Sequence, residues 1–216
     1  MDISSYQIRR CENPECGLRF PLVDNSTSGD RCPMCLGTTR LVLESVMEDM
    51  PLSGEQSRTS VPLEGLLDNL RSAWNVGSIF RTSDGIGLRR LHLCGITPTP
   101  KIESMAKTSL GAEGFMPWTY SRDALQRVTS LKADGYQLWA LEQDPRAVSI
   151  ESISELNERD PAVLIVGNEI TGVDPELLDR CDRIIHLPMH GRKRSINVAV
   201  AFGIAVHYIS LKMTKS

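Results

Sequence analysis

Four cysteines near the amino terminus carry the first recognisable chemistry. They are spaced Cys11-x4-Cys16-x15-Cys32-x2-Cys35, two close thiol pairs separated by a hairpin-length stretch. Each pair spans one edge of a tetrahedron, which suits a single metal ion. Gly17 and Gly37 follow the pairs and allow the positive φ that turns backbone N–H groups toward thiolate sulfur. Zinc is the expected ion, and the same ligands also suit iron. Two disulfides are the alternative, but the first residues do not read as a secretory signal, and a reducing compartment favours metal. Cys94 and Cys181 stand alone in apolar surroundings and read as inert core residues.

A second group of reactive residue types lies in two glycine-containing turns. One is Gly167-Asn168-Glu169-Ile170-Thr171-Gly172, and the other runs from Pro188 to Asn197. Within the second, His190-Gly191-Arg192-Lys193-Arg194 places three formal cations on consecutive residues. Such a run is either a solvated loop or a local anion site. Neither turn has the G-x-G-x-x-G of a dinucleotide fold or the Gly-Lys-Ser/Thr of a P-loop, so a conventional dinucleotide or nucleoside-triphosphate site is not expected.

The elements that must position these turns follow from composition and pattern. The chain has 216 residues, 41% hydrophobic and 24% charged, with a net charge of −3. Those values exclude disordered and fibrous classes, and the net charge gives no support to a generally basic nucleic-acid binder. Residues 1–60 carry 6 Lys/Arg against 9 Asp/Glu, and residues 61–216 carry 18 against 18. Any anion site must therefore be a local cluster. The longest apolar stretch, Ser195–Leu211, is interrupted by Asn197 and His207 and is too short for a membrane span. A soluble, cytoplasmic protein is expected.

Residues 1–45 read as a small zinc-ribbon-like domain, 46–61 as a polar linker marked by Pro51 and Gly54, and 62–216 as the main domain. In the main domain strand-length apolar runs alternate with helical patterns. Strands are expected at Leu63–Leu67, Arg90–Cys94, Gln137–Leu141, Ala162–Val166 and Arg183–Leu187. Helices are expected at Asn75–Ile86, Ser152–Asn157, Pro175–Arg180 with an Asp174 cap, and Ser195–Lys212 with Ser195 as cap. Ala162–Val166 is apolar without alternation, as in a parallel strand covered on both faces. The pattern predicts an α/β domain, a parallel sheet with helices on both faces. In such sheets ligands sit beyond the carboxyl ends of the strands, where both glycine turns fall. His92 and His207 lie in apolar patterns and read as core or interface residues.

Three segments in order carry a family resemblance: Asn75-Val76-Gly77-Ser78-Ile79-Phe80-Arg81-Thr82, Ile165–Gly172, and Leu187–Gly191 followed by Ser195-Ile196-Asn197-Val198. Over about residues 62–212 the chain resembles the SpoU/TrmH family of SPOUT methyltransferases. Ile170, Thr171 and Ile196 depart from common family residues conservatively. The resemblance implies a carboxyl-terminal trefoil knot, an exception to unthreaded topology. It implies S-adenosylmethionine as methyl donor, a ribose 2′-hydroxyl of structured RNA (tRNA or rRNA) as acceptor, and a homodimer. It places the cofactor against Gly167, Asn168, Gly172, Leu187, Met189 and Ile196, and gives Asn75, Arg81, Glu169, Ser195 and Asn197 to the catalytic set. His190, Arg192, Lys193 and Arg194, between the cofactor and phosphate elements, then become RNA-backbone contacts.

A sulfonium methyl is already activated, so such a site must chiefly align an in-line attack and manage one proton. The family role for Arg81 is to help deprotonate the hydroxyl. With its high pKa, a clamp on phosphate and developing alkoxide charge is the alternative. Asn75 reads as a helix cap, and the resemblance implies that it also positions the arginine or the ribose; Glu169 reads as a cap of the helix that follows, and the resemblance implies instead that it orders the site by pairing with Arg81. The ribbon is expected to help grip the RNA or, given its negative balance, to dock a protein. A non-catalytic RNA-binding or ribosome-assembly factor on the same fold is the alternative function. The full polar set argues against it.

Overall fold

A computed structural model describes residues 5–23, 29–46, 60–153, 156–157 and 161–214. The chain divides into two compact units, Met1–Ser57 and Arg58–Ser216. The expected linker falls almost wholly outside the described residues.

The first unit is a three-stranded antiparallel sheet of β1 (Ser5–Cys11), β2 (Arg19–Val23) and β3 (Thr39–Val46), in the order β2-β1-β3. Its buried apolar side chains, among the described residues, are Cys11 and Cys32. So small a core cannot offset the entropy of ordering some forty residues, and a cross-link or metal must contribute.

The second unit holds β4 (Leu63–Asp68), α1 (Ala73–Ile86), β5 (Leu91–Cys94), α2 (Glu103–Ser109), β6 (Trp118–Ser121), α3 (Ala124–Ala133) and β7 (Gln137–Leu141). It continues through β8 (Val148–Ser149), β9 (Leu156–Asn157), β10 (Ala162–Val166), α4 (Pro175–Leu178), β11 (Arg183–His186), α5 (Val198–Lys212) and β12 (Met213–Thr214). Seven strands form one sheet in the order β6-β5-β4-β10-β7-β11-β8, with every described pairing parallel. Residues of β10 alternate between two cores. Ala162, Leu164 and Val166 pack with Phe80 of α1 and Phe202 of α5, while Val163 and Ile165 pack with Val128 of α3 and Leu177 of α4. Both faces are covered, so the apolar run without alternation is explained.

One polar network lies inside the sheet–α3 layer. Glu64 accepts from Tyr136 Oη at 2.8 Å and meets His92 Nε2 at 2.6 Å, and Thr119 Oγ1 holds the other ring nitrogen at 2.8 Å. His92 is therefore a core residue, as its pattern implied, whereas His207 is exposed on α5. The lone thiols are inert: burial pushes both Cys94 and Cys181 up to about 12.

Strands β4, β5 and β11 differ from expectation by one residue and α4 ends two residues early, at Leu178, while three helices differ in kind. Helix α1 begins before Asn75, because Ser72 caps it, accepting from Asn75 N at 3.3 Å. Helix α5 begins at Val198 with Asn197 as its cap, so Ser195 lies outside it. The expected helix at Ser152–Asn157 is absent where described: a 3-10 turn at Ile150–Ser152 and the short strand β9 stand there instead. Ser149 accepts from Glu151 N, and Ser152 Oγ closes back on Ser149 O at 2.6 Å, the local competition by which serines divert a backbone from α-helix. Helix α3 and strand β6 were not anticipated, although Asp123 gives α3 a conventional cap, accepting from Leu125 N at 2.8 Å.

Candidate active site

A cavity of ≈ 480 Å³ opens at the carboxyl ends of β7, β10 and β11, where a doubly covered parallel sheet leaves room for a ligand. The turn after β10 is built from within. Asn168 and Gly172 exchange two backbone hydrogen bonds of 3.0 and 2.9 Å, and Asn168 Oδ1 accepts from Ile170 N at 2.9 Å and Thr171 N at 3.3 Å. Asn168 Nδ2 donates to Asn69 O at 2.7 Å, which ties the turn to the end of β4. Gly167 has no room for a side chain: a Cβ there would stand 2.3 Å from the backbone of Gly172 and Val173. Gly172 takes φ +76° and faces the Glu142 carboxylate, which accepts from Val173 N at 2.9 Å.

From that turn Glu169 reaches the first turn of α1. Its carboxylate accepts from Arg71 N at 2.9 Å, Ser72 N at 3.1 Å and Asn75 Nδ2 at 3.0 Å. The remaining Asn75 oxygen accepts from Asn197 Nδ2 at 3.0 Å, and Asn197 Oδ1 caps α5 through Ala199 N at 2.9 Å and Val200 N at 3.4 Å. The carboxylate has no proton to give, so every amide orientation in this relay is fixed. One chain of donors and acceptors joins the β10 turn, the start of α1 and the start of α5. Partial burial alone would raise the Glu169 pKa, but the N–H donors, Arg71 foremost, hold it below the usual carboxylate range.

Glu169 thus caps α1 rather than a following helix, and no ion pair joins it to Arg81. Asn75, Glu169, Ser195 and Asn197 line the cavity together with Gly167, Asn168, Gly172, Leu187, Met189 and Ile196. Arg81 does not. It stands exposed on α1, six residues and about 9 Å along the axis from Asn75, in the stripe of Trp74, which is 60% exposed. His190, Arg192, Lys193 and Arg194 are exposed in the irregular segment between β11 and α5, beside the cavity and not in its wall. Sequence reasoning missed Leu141, Glu142, Gln143 and His186 in the lining. Leu141 ends strand β7 and Glu142 and Gln143 directly follow it, and the rule that pointed to the other two turns applies equally there.

The lining fits an adenosyl cofactor. Leu141, Val166, Leu187, Met189, Ile196 and Ala201 supply apolar wall. The backbone N–H groups of Met189 and Ile196 have no acceptor among the described residues and are available to a ligand.

In the other unit the four cysteine sulfurs lie within 4.8 Å of one another. Cys11 and Cys35 are 3.4 Å apart and Cys16 and Cys32 3.7 Å, against about 3.8 Å for sulfurs on a tetrahedron of 2.3 Å metal–sulfur bonds. The set can hold a metal ion. Gly17 takes φ +58° as expected, but in the second knuckle the positive φ belongs to Leu36, at +59°. Gly37 serves by proximity instead: a Cβ there would meet the Cys35 sulfur at 3.3 Å.

A family model described as the SpoU rRNA Methylase family matches residues 63–207. A tRNA (guanosine(18)-2′-O)-methyltransferase of Aquifex aeolicus is 31% identical over 65% of this chain and 64% of its own length. A 23S rRNA (guanosine(2553)-2′-O)-methyltransferase of Bacillus subtilis is 30% identical over 67% of this chain and 56% of its own. The chain thus spans less than two thirds of both relatives. Among solved structures, an AdoMet-bound rRNA methyltransferase from Sinorhizobium meliloti superposes with a TM-score of 0.66 at 26% identity, covering 71% of this chain and 57% of that one.

Proposed function

The chain belongs to the SpoU rRNA methylase family, and from that premise we propose that it transfers a methyl group from S-adenosylmethionine to a ribose 2′-hydroxyl of structured RNA, tRNA or rRNA. The observation that carries this reading is the Glu169–Asn75–Asn197 relay at the rim of the cavity. A protein that only bound RNA would have no need to fix three polar side chains around an internal pocket.

S-adenosylmethionine, when bound, supplies an electrophilic sulfonium methyl. Gly167, Asn168, Gly172, Leu187, Met189 and Ile196 would hold it, the turn by close backbone approach and the last two by their N–H groups. Glu169 is a positioning residue: three donors occupy its carboxylate and its pKa is low, so it is a poor acceptor for the hydroxyl proton. It holds Asn75, which holds Asn197, and these amides with Ser195 orient the ribose. Arg81 stabilises the developing alkoxide and the adjacent phosphate as a fixed cation. His190, Arg192, Lys193 and Arg194 take RNA phosphates.

Arg81 stands outside its own chain's cavity, and α5 presents Val200, Ile204 and Leu211 to solvent at 48–70% exposure. A homodimer that covers both this face and the exposed Trp74–Arg81 stripe of α1 would make the working site composite. The division into a ribbon (1–45), a linker (46–61) and a knotted methyltransferase domain (62–216) belongs to the same proposal. So do zinc in the four-cysteine site and action in the cytoplasm. Among the described residues no helix is long and apolar enough to cross a membrane.

The test is transfer of labelled methyl from S-adenosylmethionine to RNA of cells lacking this protein, with digestion to nucleosides. A labelled 2′-O-methyl nucleoside is expected; label on a base, or none despite cofactor binding, overturns the reading. Mixing Arg81→Ala chains with Asn197→Ala chains tests the composite site. Activity in the mixture above that of either alone is expected.

A further inference from the structure

The amino-terminal sheet carries a feature that metal binding leaves unexplained. In the register of β1 with its neighbours, Arg10 stands directly opposite Arg19 on β2 and directly opposite Arg40 on β3. Three arginines therefore form one row across the sheet, on one face, at lateral intervals of about 4.8 Å. Like charges in directly opposed positions destabilise a sheet. All three side chains are exposed, and none has a hydrogen bond or ion pair among the described residues.

The neighbouring arginine shows what a structural role looks like here. Arg9 points to the opposite face, where it donates to Thr39 Oγ1 at 2.9 Å and Gln7 Oε1 at 3.0 Å and lies 3.6 Å from Asp30. Its side chain is 15% exposed. Of the acids, Glu44, opposite Gln7, belongs to the face of Arg9, and the exposed Glu12, two residues beyond Arg10, is one acid set against the three arginines. Nor does the row serve the thiolates, because Cys11 follows Arg10 along the strand and its buried sulfur faces the other way. Two residues along β1 and β2 from the arginines, Ile8 stands opposite Pro21, and on β3 a one-residue bulge brings Leu43, three residues from Arg40 and 49% exposed, to its other side. The face thus pairs a line of guanidinium forks with a line of apolar surface.

We infer that this face, with Arg10, Arg19 and Arg40, binds the phosphate backbone of the RNA. Guanidinium forks match phosphate oxygens bidentately, and a polyanion supplies its charges in a row. The adjacent apolar row offers sugars and bases a dry surface. The local charge is positive although the unit as a whole is not. The inference rests on RNA being the substrate, and an acidic protein segment is the rival occupant.

The experiment uses the full metal-loaded chain and its Arg10→Gln/Arg19→Gln/Arg40→Gln variant. Filter binding to bulk tRNA and to ribosomal RNA fragments is measured between 50 and 200 mM KCl. Three lost phosphate contacts lower the slope of log affinity against log salt by about 2–3, so the variant loses about 20- to 40-fold less affinity across that range. It also binds more than about tenfold more weakly at the low-salt end. The corresponding triple lysine variant keeps the slope. Metal content is read on every variant; where the triple glutamine variant loses metal, Arg19→Gln and Arg40→Gln on the outer strands are tested singly, each with a slope lower by about 1. An unchanged slope in a metal-loaded variant overturns the inference, as does binding to polyglutamate that only the wild type shows. A wild-type chain that transfers no methyl while its RNA binding still depends on the three arginines sinks the proposed activity and spares the arginine face.

Discussion

The two units of this chain solve the problem of order by opposite means. In the larger unit a seven-stranded sheet buries apolar side chains on both faces, and Glu169, Asn75 and Asn197 at its rim are held by one another. In the amino-terminal unit almost nothing apolar is buried among the described residues except two cysteines, and Arg10, Arg19 and Arg40 have no hydrogen bond or ion pair among them. Where a core exists, polar groups are pre-positioned to within a hydrogen bond, the arrangement that electrostatic catalysis would require. Where so little is buried, the four cysteines that can hold a metal ion stand in place of a core. The same residue type shows the difference, since Arg9 is fully partnered while Arg10, its neighbour, is not.

Metal removal is the largest test of that contrast. A chelator strong enough to strip the four-cysteine site should release the ribbon, because structural zinc contributes about 10–16 kcal/mol in such modules. Amide exchange should lose protection throughout residues 5–46 while S-adenosylhomocysteine binding survives. Loss of both together would show that the units depend on each other. Next in size is Gly167→Ala. A Cβ 2.3 Å from the Gly172 and Val173 backbone forces the turn outward, and cofactor affinity should fall by about 3 kcal/mol, roughly a hundredfold, by calorimetric titration.

How much of this was legible in the sequence follows the same division. The strands Gln137–Leu141 and Ala162–Val166 stand where their apolar runs placed them, because a doubly covered parallel strand admits little else. The turn residues lining the cavity were legible because glycine spacing and strand ends converge there. The position of Arg81 was not, because motif proximity along the chain says nothing about which stripe of a helix a residue occupies. The identity of the caps was also hidden: Ser195, Ser72 and Asn197 all have capping chemistry, and only tertiary contacts choose among them. Glu169 is the sharpest case, since it caps a helix nearly a hundred residues away in sequence.

A smaller test concerns Asp68, buried at the end of β4. Burial, then the charge of Asp174, raises its pKa to about 6 from an ordinary 3.8. The native state therefore binds the proton more tightly than the unfolded chain. By linkage this group favours the fold below about pH 4, and that contribution is lost as pH rises through 6. The expected loss is roughly 2–3 kcal/mol, flat above neutrality. Glu169, with its lowered pKa, works in the opposite direction at more acid pH. Denaturant melts of the wild type and Asp68→Asn between pH 4 and 8 should show the decline in the first and its absence in the second. Equal slopes would remove Asp68 as its source. The ribbon has no buried carboxylate among its described residues and should not contribute.

The smallest expected effect on stability is the most informative about the site. Asn197 does two jobs with one amide: its oxygen caps α5 and its nitrogen donates to Asn75. Asn197→Asp keeps the cap, since aspartate is as good an acceptor at that position, and costs less than about 1 kcal/mol of stability. It removes the donor and sets two acceptors against each other where the relay crosses from α1 to α5. If the relay positions the ribose, turnover should fall about tenfold or more, with cofactor affinity and melting temperature nearly constant. Asn197→Ala should add the loss of the cap, about 1 kcal/mol, to the same loss of turnover. A variant that melts like the wild type and turns over like the wild type would reduce Asn197 to a helix cap. The pre-positioning seen in this unit would then be a property of its packing and not of its chemistry.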